Sequence, residues 1–261
     1  MLAEAYRRMP AERKWQIVQE ELRRIRLLHD LGYRRRHPEA TAEQARHAWV
    51  AAVLGPVSFP DAPEGQAVNA PIEQLETLRD VILAFDRLRI AYALGGSLAS
   101  SLHGAVRATR DADLAAEPFP GREADFVSCF SDPYYISEEA VREAIRNRSC
   151  FNVINTMTAF KVDVFIQRGR AFDLSLMARR EASPFPGLDG QEIQVVTAED
   201  VVLLKLEWFR LGGEVTVQQW DDILSVLRAK SGRLDASYLD RWAAELGVLD
   251  LLGKARDEAT L

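Results

Sequence analysis

The chain has 261 residues, 48% of them hydrophobic and 28% charged, with a formal net charge of −6. That composition excludes a disordered or fibrous chain, and the acidic balance argues against a binder that works by blanket neutralisation of phosphates. No run of about 18 apolar residues is present, and the charged start "MLAEAYRRMPAERKW" lacks the apolar centre of a secretory signal, so the expected location is the cytoplasm.

Charge is spread unevenly. Residues 1–56 hold eleven Lys or Arg against seven Asp or Glu, with Arg34, Arg35 and Arg36 consecutive, which leaves −10 for the rest. Two solvated surfaces of different composition are the simpler account; a polyanion-touching module beside a cation-holding one is the other. Cys129 and Cys150 have no metal-type spacing and are expected to be buried thiols, a single bridge between them being the other reading.

In chain order, Pro10 suits the first position of a helix in which Trp15, Val18, Leu22, Ile25 and Leu28 share one face, ending near Gly32. Thr41 and Gln44 have capping-box spacing before a second helix with Ala45, Trp49 and Val53 inward. The segment "GPVSFPDAPEGQAVNA" then reads as a linker. A helix "PIEQLETLRDVILAFDRL" leads to the strand "IAYAL", a Gly95-Gly96-Ser97 turn, a short helix "LASSLHG" and a second strand "DADLA". Ser137 is placed to cap "EEAVREAIRN"; strands follow over Phe151 to Asn155, Phe160 to Gln167 and "EIQVVT". Helices then run from after Thr197, from Val215 to Lys230 and from Tyr238 to Lys254. The expected fold is α+β: a small mixed-sheet core over 71–198, an N-terminal helical hairpin over 1–56, a linker over 57–70 and a helical region over 199–261.

The chemistry lies in carboxylates. On a strand, period-two alternation aims Asp111 and Asp113 from the same face, an unfavourable pairing of like charges unless a cation sits between them. Hard oxygen ligands favour Mg²⁺, which fills its remaining positions with water and substrate phosphates. In "FKVDVFIQ", Val162, Val164 and Ile166 take one strand face and Asp163 the other; an ion pair with Lys161 is the plainer account of that acid, convergence on the first two the more productive one. Three converging carboxylates would hold two Mg²⁺ ions. A Gly95-Gly96-Ser97 turn opening a helix offers backbone N–H groups and a hydroxyl to an anion.

The string "GGSLASSLHGAVRATRDADL", followed by "FKVDVF" and "TAEDVVLLKLEWFR", resembles the signature of the nucleotidyltransferase superfamily related to DNA polymerase β, in particular the AbiEii/AbiGii-type bacterial nucleotidyltransferases, many of them toxins of toxin-antitoxin systems. The resemblance covers about Ile90 to Asp222. It implies a nucleotidyltransferase core in which Gly95, Gly96 and Ser97 hold a nucleoside triphosphate and Asp111, Asp113 and Asp163 bind Mg²⁺ and carry catalysis. Lys205 falls where the family has a phosphate-contacting lysine, and Asp222 near a further family acid; a snorkelling lysine and a helix-surface acid are the plain alternatives. Arg110 is carried as a nucleotide contact, whereas His103 is expected to be packed rather than to act as a base. The implied reaction moves a nucleoside monophosphate onto an acceptor hydroxyl, with tRNA or another RNA 3′ end, or a protein, as acceptor, a small molecule such as an aminoglycoside as the further option, and a cognate antitoxin as partner. The alternative is a catalytically silent nucleotide- or partner-binding protein of the same fold. The N-terminal hairpin has no role in the signature, and the segment from Glu117 to Asn155 is an insertion suited to shaping acceptor choice.

Overall fold

The computed structural model describes residues 9–54, 75–104, 109, 111–185 and 191–260. Arg110, the linker over 57–70 and the side chains of Leu22 and Val53 lie outside the described residues. The elements are α1 (Ala11–Arg36), α2 (Ala42–Leu54), α3 (Leu75–Arg87), β1 (Tyr92–Leu94), α4 (Gly96–His103), β2 (Asp111–Ala116), α5 (Glu123–Val127), β3 (Tyr134–Tyr135), α6 (Glu138–Asn147), β4 (Cys150–Asn155), β5 (Lys161–Ile166), α7 (Ala171–Arg179), β6 (Glu181–Pro184), β7 (Glu192–Val195), α8 (Ala198–Leu211), α9 (Val217–Ala229), α10 (Ala236–Glu245) and α11 (Leu249–Thr260).

One seven-stranded mixed sheet carries the architecture, in the order β3-β4-β5-β2-β1-β7-β6. The central pair β2 and β5 is parallel, while β4 and β1 flank it antiparallel on either side. Alternation along these strands sends Ala112, Leu114, Val162, Val164, Ile166, Phe151 and Val153 to one face, all buried. There α3 contributes Leu78, Val81, Ile82 and Phe85. The segment after β2 folds into this same core: Phe119 and Phe126 pack with Phe85 and Phe151 at centroid separations of 5.0 to 6.4 Å. The stretch read from the sequence as an insertion thus also contributes aromatic residues to the hydrophobic layer beneath the sheet.

The caps expected from the sequence form. Thr41 and Gln44 exchange bonds of 2.9 and 3.2 Å, Ser137 Oγ accepts from the Ala140 N–H at 3.2 Å, and Thr197 Oγ1 accepts from the Asp200 N–H at 3.3 Å. Helix α1 runs four residues past Gly32, to Arg36, since Arg34, Arg35 and Arg36 suit the negative end of a helix dipole and Pro38 stops the chain just beyond. Its apolar face is buried only at the start: Trp15 and Val18 are inaccessible, but Leu28 is 62% exposed, the core lying under the first turns alone. The expected helix from Tyr238 to Lys254 is two helices, broken at Gly247, whose φ of 70° suits glycine and ends α10.

The hairpin is attached to the core at both ends. Trp15 meets Phe185 edge to face at 4.8 Å, the Lys14 ammonium donates to the Leu102 carbonyl at the end of α4, and Trp49 Nε1 donates to the Thr158 carbonyl at 2.8 Å. Cys129 is half-buried and Cys150 exposed, both free thiols. The expectation of two buried thiols fails at Cys150 because β4 turns it to the same side as Asn152, away from the aromatic layer.

Candidate active site

The second face of the central strands carries the acids. In the parallel register of β2 and β5, Asp111 stands opposite Lys161 and Asp113 opposite Asp163, with Asn152 of β4 next in line. The predicted alternation therefore holds, and the two strands bring all three carboxylates to one side of the sheet.

Each acid has a distinct environment. Asp111 Oδ1 accepts from the Thr109 hydroxyl at 2.7 Å. Asp163 Oδ2 pairs with the Lys161 ammonium at 2.7 Å, while its Oδ1 accepts from the Asn152 amide. Asp113 sits between them. Burial, then the charges of Asp111 and Asp163, push its carboxyl up to about 6, against the pull of the Lys205 and Lys161 ammonium groups. Burial alone would lower Lys161, but its hydrogen bond to Asp163 and the three acid charges leave it raised.

The glycine turn closes over Asp113. Gly95 donates its N–H to the Asp113 carbonyl at 2.8 Å, which ties the turn to β2. Gly96 has φ of 56°, and a β-carbon there would fall 2.6 Å from Asp113 Cγ and 2.8 Å from its Cβ. Only a residue without a side chain fits this approach. Helix α4 starts at Gly96, so its N-terminal, positive end lies beside the Asp113 carboxylate. Ser100 and Ser101 direct their hydroxyls to the carbonyls of Gly96 and Ser97 at 2.9 and 3.0 Å, holding that turn.

Lys205 and Asp222 meet each other. The Lys205 ammonium donates to Asp222 Oδ2 at 2.8 Å, with side chains 9% and 7% exposed. Both plain alternatives, a snorkelling lysine and a surface acid, are corrected by this burial: the ion pair joins α8 to α9 underneath the acids, and the Lys205 charge reaches Asp113. His103 is packed as expected, its Nε2 donating to the Val196 carbonyl at 2.7 Å. Thr109, Asn152 and Phe165 were not singled out from the sequence; Asn152 is revealed only by register, which pairs segments apart in the chain.

Among the described residues no three His, Cys, Asp or Glu side chains are grouped to hold a metal ion as they stand. Asp163 faces a lysine instead, and the ammonium of Lys161 supplies the positive charge that three neighbouring carboxylates require. The donor chemistry nonetheless fits a hard divalent ion: oxygen atoms only, from two strands, with one carboxyl raised by its neighbours.

No protein-family model and no curated protein matches the chain. Among solved structures, it is similar to an antigenic nucleotidyltransferase-like protein from Paracoccidioides brasiliensis, at 19% identity and a TM-score of 0.42, over 69% of this chain and 91% of that one. It is also similar to ANT(2″)-Ia, solved in complex with adenylyl-2″-tobramycin, at 14% identity and a TM-score of 0.45, over 67% of this chain and 97% of that one.

Proposed function

We propose that the protein is a Mg²⁺-dependent nucleotidyltransferase that moves a nucleoside monophosphate from an NTP to an acceptor hydroxyl. The observation carrying this reading is the register of Asp111 and Asp113 on β2 with Asp163 on β5, directly beside the Gly95-Gly96-Ser97 turn. Asp111 and Asp113 would hold one ion, and Asp163, once released from Lys161, would share in holding a second. Bound Mg²⁺ supplies charge neutralisation at the triphosphate and acidifies the attacking hydroxyl. The first-turn N–H groups of Gly96 and Ser97 receive phosphate oxygens, as the positive end of a helix does. Lys205, buried under the site, adds positive potential there. The acceptor oxygen bonds to the α-phosphorus, the bond to the bridging oxygen breaks, diphosphate leaves, and the acceptor proton passes to Asp163.

The order of "GGS", "DADL", "FKVDVF" and the later lysine helix supports an AbiEii/AbiGii-type enzyme, hence a toxin with a cognate antitoxin and with RNA, tRNA included, or protein as acceptor. Among the described residues no helix is long and apolar enough to cross a membrane, which fits the proposed cytoplasmic place.

The test is incubation with each α-labelled NTP, Mg²⁺ and, separately, RNA, protein and aminoglycoside acceptors. Label passes to an acceptor with wild type and not with Asp113→Asn. No label with any acceptor, wild type and variant alike, overturns the reading. The Lys161–Asp163 ion pair favours a second reading, a silent nucleotide binder. That protein would bind NTP equally with and without Mg²⁺ and release no diphosphate.

A further inference from the structure

The half of the acid-bearing face over β5 and β4 carries a feature that the proposed chemistry does not use. Phe165 lies two residues beyond Asp163 on the same side of β5, and Trp208 of α8 leans over it, ring centroids 6.1 Å apart at 58°. Trp208 is 45% exposed, although its neighbours on α8, Leu206 and Phe209, are buried. Lys205 and Trp208 are three apart and so share one side of the helix, the first acting on Asp113 and the second resting on Phe165. The residue opposite Phe165 on β4 is Cys150, exposed and small, which leaves the outer side of the aromatic pair open. Two exposed arginines border the end of this strand: Arg148, which donates to the Gln167 carbonyl at 2.9 Å, and Arg168.

We propose that Trp208 and Phe165 form a stacking platform for the unpaired terminal base of an acceptor RNA, so that the acceptor is a single-stranded polynucleotide end rather than a protein side chain. The proposal rests on the transfer reading and narrows it. An aromatic face left half in water, with arginine charge beside it, is the combination that single-stranded nucleic acid recognises: bases stack on the ring while cations follow the backbone. Its placement is also suitable. Phe165 is a step of two strand residues from Asp163, about 7 Å, a separation of the same order as that between a base and its own sugar hydroxyl. The triphosphate cradle lies on the other side of the acids, at Gly96, so the platform is on the acceptor's side. An acidic protein surface would meet the arginines equally well, but would leave the aromatic pair without a flat partner.

The experiment measures binding of a 5′-fluorescein-labelled hexaribonucleotide by anisotropy in chelator, alongside NTP affinity and transfer kinetics with Mg²⁺. Trp208→Ala weakens hexamer binding about tenfold or more and raises the KM for RNA, while NTP affinity and Tm stay at wild-type values; Trp208→Phe retains most of the binding. Equal hexamer binding by wild type and Trp208→Ala overturns the platform, as does a parallel loss of NTP affinity, which would assign the ring to the NTP base. Transfer to protein that is indifferent to Trp208→Ala also overturns it and leaves the transfer reading intact. If hexamer binding depends on Trp208 but no nucleotide is ever transferred, the platform stands and the transfer reading falls.

Discussion

Gly96 presses against Asp113 so closely that a β-carbon on the glycine would fall 2.6 Å from the carboxylate carbon. The phosphate cradle and the acid are thus parts of one object, since the backbone turn that opens α4 also forms the wall against which Asp113 is held. Gly96→Ala must place a side chain where Asp113 already sits and hold it at φ of 56°; the backbone cost alone is about 1–2 kcal/mol. The expected outcome is a lower Tm together with loss of NTP binding, measured by calorimetry. An alanine variant with wild-type Tm and NTP affinity would show that the turn and the acid are not coupled.

Asp113 is kept ionised at neutral pH against burial and two acidic neighbours. A carboxyl raised from 3.8 to about 6 costs the folded, metal-free protein up to about 3 kcal/mol at pH 7. Asp113→Asn should therefore be more stable than wild type to urea in chelator while losing transfer by a factor of about 10³ or more. Mg²⁺ with NTP should raise the Tm of wild type and leave that of the variant unchanged. A variant less stable than wild type in chelator would mean that the acid serves the fold rather than a ligand.

Lys205 and Asp222 separate structure from function by a double substitution. Removing Lys205 alone takes away the ammonium that balances the buried Asp222 charge, which costs about 3–5 kcal/mol, whereas replacing both by apolar residues of similar volume is close to neutral. Lys205→Met with Asp222→Leu is expected to restore most of the stability lost by Lys205→Met while failing to restore NTP affinity. If NTP affinity returns together with stability, the lysine is only a strut between α8 and α9.

His103 provides a pH handle remote from the acids. Burial first, then the Lys230 charge, with a smaller contribution from Lys14, hold its ring down to about 4 against the bond to the Val196 carbonyl. The folded state binds fewer protons than the unfolded one between these limits, so the stability is complete above the ordinary value of 6.5 and is lost as pH falls from 6.5 towards 4. The size is about 3 kcal/mol. Urea denaturation of wild type and His103→Gln should show their stability difference narrowing by that order between pH 7.5 and 4.5; a constant difference would mean that the ring is not held neutral.

How far the sequence reaches is seen residue by residue. Alternation alone placed Asp111 and Asp113 together, and Asp163 opposite Val162 and Val164, because side-chain direction on a strand is a local property. The caps at Thr41, Ser137 and Thr197 were equally local. Register was not: that Asp113 lines up with Asp163, and Asn152 with both, joins segments tens of residues apart and depends on strand order. The Lys205–Asp222 pair was obscured for the same reason, a lysine on an apolar helix looking like a surface residue until its acid arrives from the next helix. Strands β3 and β6 are short edge strands, the first only two residues long, and "EASP" has no alternation to detect. The core role of Phe119 and Phe126 was not legible because they follow no regular period, yet the hydrophobic layer draws them in.

The most direct measurement is anomalous diffraction from crystals soaked with Mn²⁺ and a non-hydrolysable NTP. Manganese is expected on Asp111, Asp113 and Asp163, with Lys161 displaced from Asp163 and triphosphate oxygens at the Gly96-Ser97 turn. Manganese absent from these carboxylates, with Lys161 still seated on Asp163 and no nucleotide at the glycine turn, would contradict the proposed function.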